Sequence, residues 1–147
     1  MKGVIEAVRF FKYAAQLLVL LGCSWAHAGS FEDFFTAVKR DDADAIVTLL
    51  NRGFDANTVD ANGNTGLFLA IKAPSLKVAD VFIQWPKTQV ESRTAKDESP
   101  LMMAALSGQI ELARALIKRG AHVNKTGWTP LHYAATKGHL DLIQLLL

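Results

Sequence analysis

Thr129-Pro130-Leu131-His132-Tyr133-Ala134-Ala135, closed by Gly138-His139 and followed by the run from Leu140 to Leu147, is the clearest copy of a pattern that recurs along this chain. Ser99-Pro100-Leu101 repeats its opening one period upstream, and Thr65-Gly66-Leu67 repeats it again one period before that. The far end of the pattern agrees: Arg119-Gly120-Ala121-His122-Val123-Asn124 returns as Arg52-Gly53-Phe54-Asp55-Ala56-Asn57, two periods away. Hydrophobic spacing supplies the same register independently. Positions i, i+3, i+6 and i+7 read Ala43, Ile46, Leu49, Leu50, then Leu76, Ala79, Phe82, Ile83, then Ile110, Ala113, Leu116, Ile117, then Leu140, Ile143, Leu146, Leu147. Each set is one stripe of an amphipathic helix.

The local chemistry of the last copy predicts helix, turn, helix and then an extended finger. Thr129 can cap a helix with its hydroxyl, and Pro130 takes the first helical position, where its missing N–H is not needed. Ala134 and Ala135 are small enough for neighbouring helices to approach closely, and Gly138 can take the left-handed conformation that ends the helix. The T-P-L-H-x-A run, returning with a period of ~33 residues, resembles the ankyrin repeat. The resemblance covers residues 30–147 and implies an all-α solenoid with short finger loops and about four repeats. Their approximate bounds are 30–63, 64–97, 98–127 and an incomplete 128–147.

The copies depart from the pattern in places. Gly66 replaces the proline, Pro74 stands where others carry Gly108 or Gly138, and Trp85-Pro86 replaces the arginine-glycine close. Proline is expected to terminate what glycine would have capped. The finger between Asn124 and Trp128 should be short. The first copy reads as a cap: Ser30 and Asp33 resemble a capping box, Phe34, Ala37 and Val38 take the positions of Leu101, Ala104 and Ala105, and Asp41 stands at the glycine position. Phe31 and Phe35 add apolar surface suited to closing an open end.

Ahead of the repeats, Lys2, Arg9 and Lys12 precede an apolar run from Tyr13 to Gly22 and the small-x-small triplet Ala26-His27-Ala28. This reads as a signal peptide over 1–28, giving a mature chain from near Gly29 in the periplasm or outside the cell. The run falls short of the ~20 apolar residues a membrane-spanning helix needs. Leu20-Leu21-Gly22-Cys23 offers a competing lipobox, in which lipidation of Cys23 would tether the protein to a membrane surface. Cys23 is the only cysteine, so a mature chain cut near Ala28 would have no disulfide.

The leader holds three of the sixteen basic residues and one of the fourteen acids, leaving thirteen of each. The formal net charge of +2 therefore belongs to the leader. A duplex binder needs a basic stripe to displace counterions from several phosphates, so nucleic acid is disfavoured as a partner.

No G-x-S-x-G, phosphate-binding glycine loop or H-E-x-x-H is present, so the reading is not of an enzyme and implies no cofactor or metal. Asp60-Ala61-Asn62-Gly63-Asn64 begins like a calcium loop, but Thr65 and Ile71 occupy the glycine and glutamate positions, which favours a finger turn. His132 and His139 fall at positions where, by the resemblance, an imidazole ties loop and helix ends together.

The resemblance further implies a protein partner, of unidentified kind, held on a concave face of fingers and first helices. The contact positions are then Asn62, Asn64, Lys72 and Ala73, Lys96, Glu98, Leu106 and Ser107, and Lys125, Trp128, Thr136 and Lys137. Trp128 stands out as an anchor, since tryptophan gives a large contact area at low entropic cost. Its ring could instead pack against the neighbouring finger near Asp97. Trp85, at a helix end, is expected to pack into its loop. An accessory or immunity-type subunit masking a partner enzyme would use the same face. Finally, Leu147 aligns with Ile117 in mid-element, so Ile143, Leu146 and Leu147 are expected to be partly uncovered and the chain to be a piece of a longer array.

Overall fold

The computed structural model of the chain describes residues 29–147. The leader, with Cys23 and the Ala26-His27-Ala28 triplet, lies outside the described residues. The chain divides into two compact units, Met1–Asp33 and Phe34–Leu147. Of the first, only residues 29–33 are described, and they are helical. Ser30 is therefore inside a helical stretch and does not occupy the capping position expected of it.

The regular elements of the second unit are helices joined by turns and finger loops. Residues 34–40 form α1, followed by α2 (Ala43–Asn51), α3 (Gly66–Lys72), α4 (Leu76–Gln84), α5 (Pro100–Leu106), α6 (Ile110–Lys118), α7 (Pro130–Lys137) and α8 (Leu140–Leu146). The only strand-like pairing among the described residues is an isolated antiparallel bridge between Val59 and Thr65. The helices alternate in role. First helices α3, α5 and α7 pack in succession, and second helices α2, α4, α6 and α8 form a parallel row behind them.

Caps fix where the first helices start. The Thr65 hydroxyl accepts from Phe68 N–H at 3.3 Å and Ser99 from Met102 N–H at 3.2 Å, while Pro100 and Pro130 open α5 and α7. Each of these satisfies or removes a donor that a helix start leaves without an intrahelical partner. The turns to the second helices are left-handed at Asp41 (φ +55°), Gly108 (+71°) and Gly138 (+70°). Asp41 does more than tolerate this conformation: its carboxylate accepts the Val78 N–H at 2.9 Å, in the first turn of α4. At Gly108 a second constraint applies, since a Cβ there would stand 2.8 Å from the His139 ring. That ring reaches back to the Leu106 carbonyl at 3.1 Å, joining one pair to the next.

Second helices α2 and α6 close with Gly53 and Gly120, whose N–H groups donate to Leu50 O (3.0 Å) and Ile117 O (2.9 Å). Helix α4 lacks this close, and α3 ends at Lys72, ahead of Pro74. The end of α4 is sealed from outside. The Arg119 guanidinium donates to the carbonyls of Ile83, Trp85 and Thr88, the last two at 3.3 Å. Trp85 itself packs half-buried against the core cluster.

Gly66 also has a structural cause. A Cβ on it would meet Phe82 Cζ at 2.8 Å and Phe34 Cζ at 2.9 Å. Phe34 and Phe82 are fully buried and lie 5.7 Å apart edge-on, with Phe35 and Phe54 at 5.0 and 4.8 Å from Phe34. Proline would be the better helix opener at position 66, but the rings take its space.

Two expectations about burial are corrected. Two of the four apolar stripes open on an exposed residue, Leu76 and Leu140, whereas Val78, Leu112 and Leu142 are buried. Leu146 is buried, not uncovered, because it faces the packed side of α8; Ile143 is half-buried and Leu147 is exposed.

Candidate functional site

Between the fingers and the first helices lie two grooves that share one lysine. The first, of about 380 Å³, is bounded by Lys96 and Asp97 of one finger, Lys125 to Trp128 of the next, Met102 and Leu106 of α5, and Tyr133 and Thr136 of α7. The second, of about 290 Å³, lies one step back between Asn62, Asn64, Phe68, Lys72, Thr94 to Lys96 and Glu98.

Local geometry explains how these side chains are presented. Asp60 accepts from the backbone N–H groups of Asn62 (2.9 Å) and Asn64 (2.8 Å), which folds the fingertip into a turn. Burial pushes the Asp60 carboxyl up, but the hydrogen bonds from Asn64 and Asn62 outweigh it and hold it below the ordinary carboxylate value. Thr94 does the same for the next finger, its hydroxyl accepting from Lys96 N–H and Glu98 N–H at 3.2 Å each. The third finger is shorter, with residues 119–129 joining α6 to α7 where 85–99 join α4 to α5. Trp128 directly precedes the Thr129 cap. The Thr129 N–H donates to His132 Nδ1 at 3.2 Å, so this imidazole secures the start of α7.

Trp128 is 61% exposed. Its ring neighbours are His132 (5.5 Å) and Tyr133 (5.8 Å, edge-on), both from its own pair, and it forms an open aromatic wall of the groove that Asp97 also lines. The Tyr133 hydroxyl donates to Glu98 at 3.3 Å, tying the two grooves together. Burial, then the Glu98 charge and this hydrogen bond, push the Tyr133 phenol above its ordinary value. Asp97 pairs with Lys125 and lies 3.8 Å from Arg93.

Of the contact positions expected from the sequence, Lys96, Leu106, Lys125, Trp128 and Thr136 surround the first groove, and Asn62, Asn64, Lys72, Lys96 and Glu98 the second. Lys137, Ala73 and Ser107 are exposed but line neither. Phe68, Met102 and Tyr133 were missed. Phe68 and Met102 occupy the same position of their copies and line the second and first grooves, and that shared position was the available signal, although His132, at the same position of the last copy, lines neither.

Among the described residues no group of three or more His, Cys, Asp or Glu is placed to hold a metal ion, and no helix is long and apolar enough to cross a membrane.

A family profile described as ankyrin repeats (3 copies) matches residues 34–125 and 82–147. Among curated relatives, the glycerophosphocholine phosphodiesterase gde1 of Schizosaccharomyces pombe is 30% identical over 109 residues, covering 71% of this chain and 10% of that protein. The neurogenic locus notch homolog protein 1 of Xenopus tropicalis is 32% identical over 108 residues, 71% of this chain and 4% of its own length. Protein phosphatase 1 regulatory subunit 27 of Mus musculus is 34% identical over 88 residues, 57% of each chain. The chain thus spans a tenth or less of the first two.

Proposed function

This chain belongs to the ankyrin-repeat family, whose repeats mediate protein–protein interaction, and from that premise we propose that it is an exported module holding a protein partner on the face formed by its fingers and first helices. One observation carries the reading. Five of the contact positions that the family resemblance implies, Lys96, Leu106, Lys125, Trp128 and Thr136, line one groove in which the tryptophan is left largely uncovered. An open aromatic wall beside buried apolar floor residues suits an interface hot spot, where one side chain is desolvated inside a ring of weaker contacts. Trp128 is the anchor, and Lys96, Leu106, Lys125 and Thr136 surround it. Asn62, Asn64, Lys72 and Glu98 extend the face, and Lys137 lies at its rim. The chain is read as having no catalytic role of its own, and nucleic acid is not its partner.

The basic leader, apolar run and Ala26-His27-Ala28 support export, with cleavage near Ala28 ahead of lipidation at Cys23. Mass measurement of the mature N-terminus tests this part. A chain starting near Gly29 is expected, one starting at a lipidated Cys23 would transfer the proposal to a membrane surface, and one starting at Met1 would refute export.

A second reading has its own support in the similarity to a phosphatase regulatory subunit over 57% of each chain: here the same face would control a partner enzyme. Crosslinking with mass spectrometry on the native exported fraction separates the two. An enzyme captured on this face favours regulation; a structural or surface protein favours plain attachment. Crosslinks confined to the second helices would refute both.

A further inference from the structure

The charges on this face are unequally occupied. Its carboxylates are engaged: Asp97 with Lys125 and Arg93, Glu98 with the Tyr133 hydroxyl, and Asp60 with the N–H groups of its own turn. Three of its cations are not. Lys96 lines both grooves, and its ammonium has no carboxylate partner among the described residues. Lys72 lies 6.0 Å above the Phe68 ring without a carboxylate, and Lys137 is exposed and likewise unpaired among the described residues. A neutral phenol does not cancel the Glu98 charge, yet Lys72, Lys96 and Lys125 outnumber Asp97 and Glu98 among the residues lining the two grooves, so the face carries a small positive excess, although the chain beyond the leader balances its charges overall.

Lys96 stands at the junction of the polar groove and the aromatic one, so a ligand running from one to the other must pass it. We infer, building on the reading of this face as the partner site, that its occupant is an acidic stretch of polypeptide, with one apolar side chain seated against Trp128, Leu106 and Met102 and carboxylates meeting Lys96 and Lys72. Complementary charge of this kind steers encounter and rejects like-charged competitors, while the aromatic anchor slows release. The rival occupant is a basic segment with a cation stacked on Trp128. It would place its charge beside Lys96 and Lys125 and find Asp97 already paired with Lys125.

The test is selection from a random linear peptide library displayed on phage, panned against the full chain. Lys96→Glu and Trp128→Ala chains serve as counter-targets, each shown to be folded by its thermal transition. Selected peptides are expected to carry two or more Asp or Glu beside an apolar residue. As synthetic peptides they are expected to lose about tenfold or more in affinity on either substitution, and to weaken above about 0.1 M salt, where screening reaches ~10 Å. Peptides that need Trp128 but are neutral or basic, or that bind Lys96→Glu unchanged, would overturn the acidic occupant while leaving the face as the docking site. Peptides that bind both variants like the wild type would overturn the face itself.

Discussion

Two groups of aromatic rings in this chain share the same chemistry and differ in exposure. Phe34, Phe35, Phe54 and Phe82 meet where the first two helix pairs join, with Phe34 and Phe82 sealed from solvent and Gly66 cut back to admit them. Trp128, His132 and Tyr133 gather at the last pair at similar ring distances, yet the indole is open. Ring contacts alone therefore do not assign a role. The closed group has removed its area from water and contributes stability; the open group still has area to bury, and a partner can bury it.

Breaking the closed group should have the largest effect. Phe34→Ala is expected to cost about 3–5 kcal/mol, because a fully buried ring leaves a cavity its neighbours cannot fill. Chemical denaturation reads this as a lowered midpoint, and a loss within ~0.5 kcal/mol, typical of a surface change, would mean that the cluster is not the core of this junction. Adding to the group should cost less. Gly66→Ala puts a methyl against ring carbons of both Phe82 and Phe34 and is expected to destabilise by about 1–3 kcal/mol. Gly66→Pro should destabilise as well, despite restoring the residue found at 100 and 130, and Phe82→Leu should recover part of the Gly66→Ala loss. A stabilising Gly66→Pro would show that the ring contacts give way freely.

In the open group, His132→Ala removes the acceptor for the Thr129 N–H and is expected to cost about 1 kcal/mol, as loss of a capping interaction does. Hydrogen exchange should show the first turn of α7 fraying, with partner affinity falling only in step. Affinity lost at full stability would instead place the imidazole in contact with the partner.

The smallest effect should come from acid. The folded Asp60 carboxyl lies below its ordinary 3.8, so its contribution is present above that value and is lost as pH falls through the lower folded value. Wild-type stability should therefore show a slightly steeper decline below about pH 4 than that of Asp60→Asn. Parallel curves would remove Asp60 from the fingertip.

Register within a copy was readable because it is local: a cap at Thr65, Ser99 or Thr129 sets the helix start, and the family resemblance then implied Lys96, Leu106 and Trp128 as contact positions. Contacts between copies were not readable in this way. Arg119 closing α4 and Asp41 capping α4 each reach from one copy into another, and nothing in the spacing of either stretch reveals them. Gly66 looked like a lost proline because its cause lies in two rings from different helices. The stripe rule misplaced Leu76 and Leu140 for a related reason, since periodicity fixes the apolar side of a helix but not how far a neighbour covers its first turn.

The central claim is that the open aromatic group lies where the partner binds, and position-specific photocrosslinking tests it most directly. A photoreactive phenylalanine analogue is introduced into the full chain either at Thr136, exposed beside Trp128, or at Gln144, exposed on α8 outside both grooves, and the chain is irradiated in its native fraction. The expected result is a partner adduct from position 136 that disappears with Trp128→Ala, and none from position 144. An adduct from position 144 alone, or one at 136 that is indifferent to Trp128, would contradict the account.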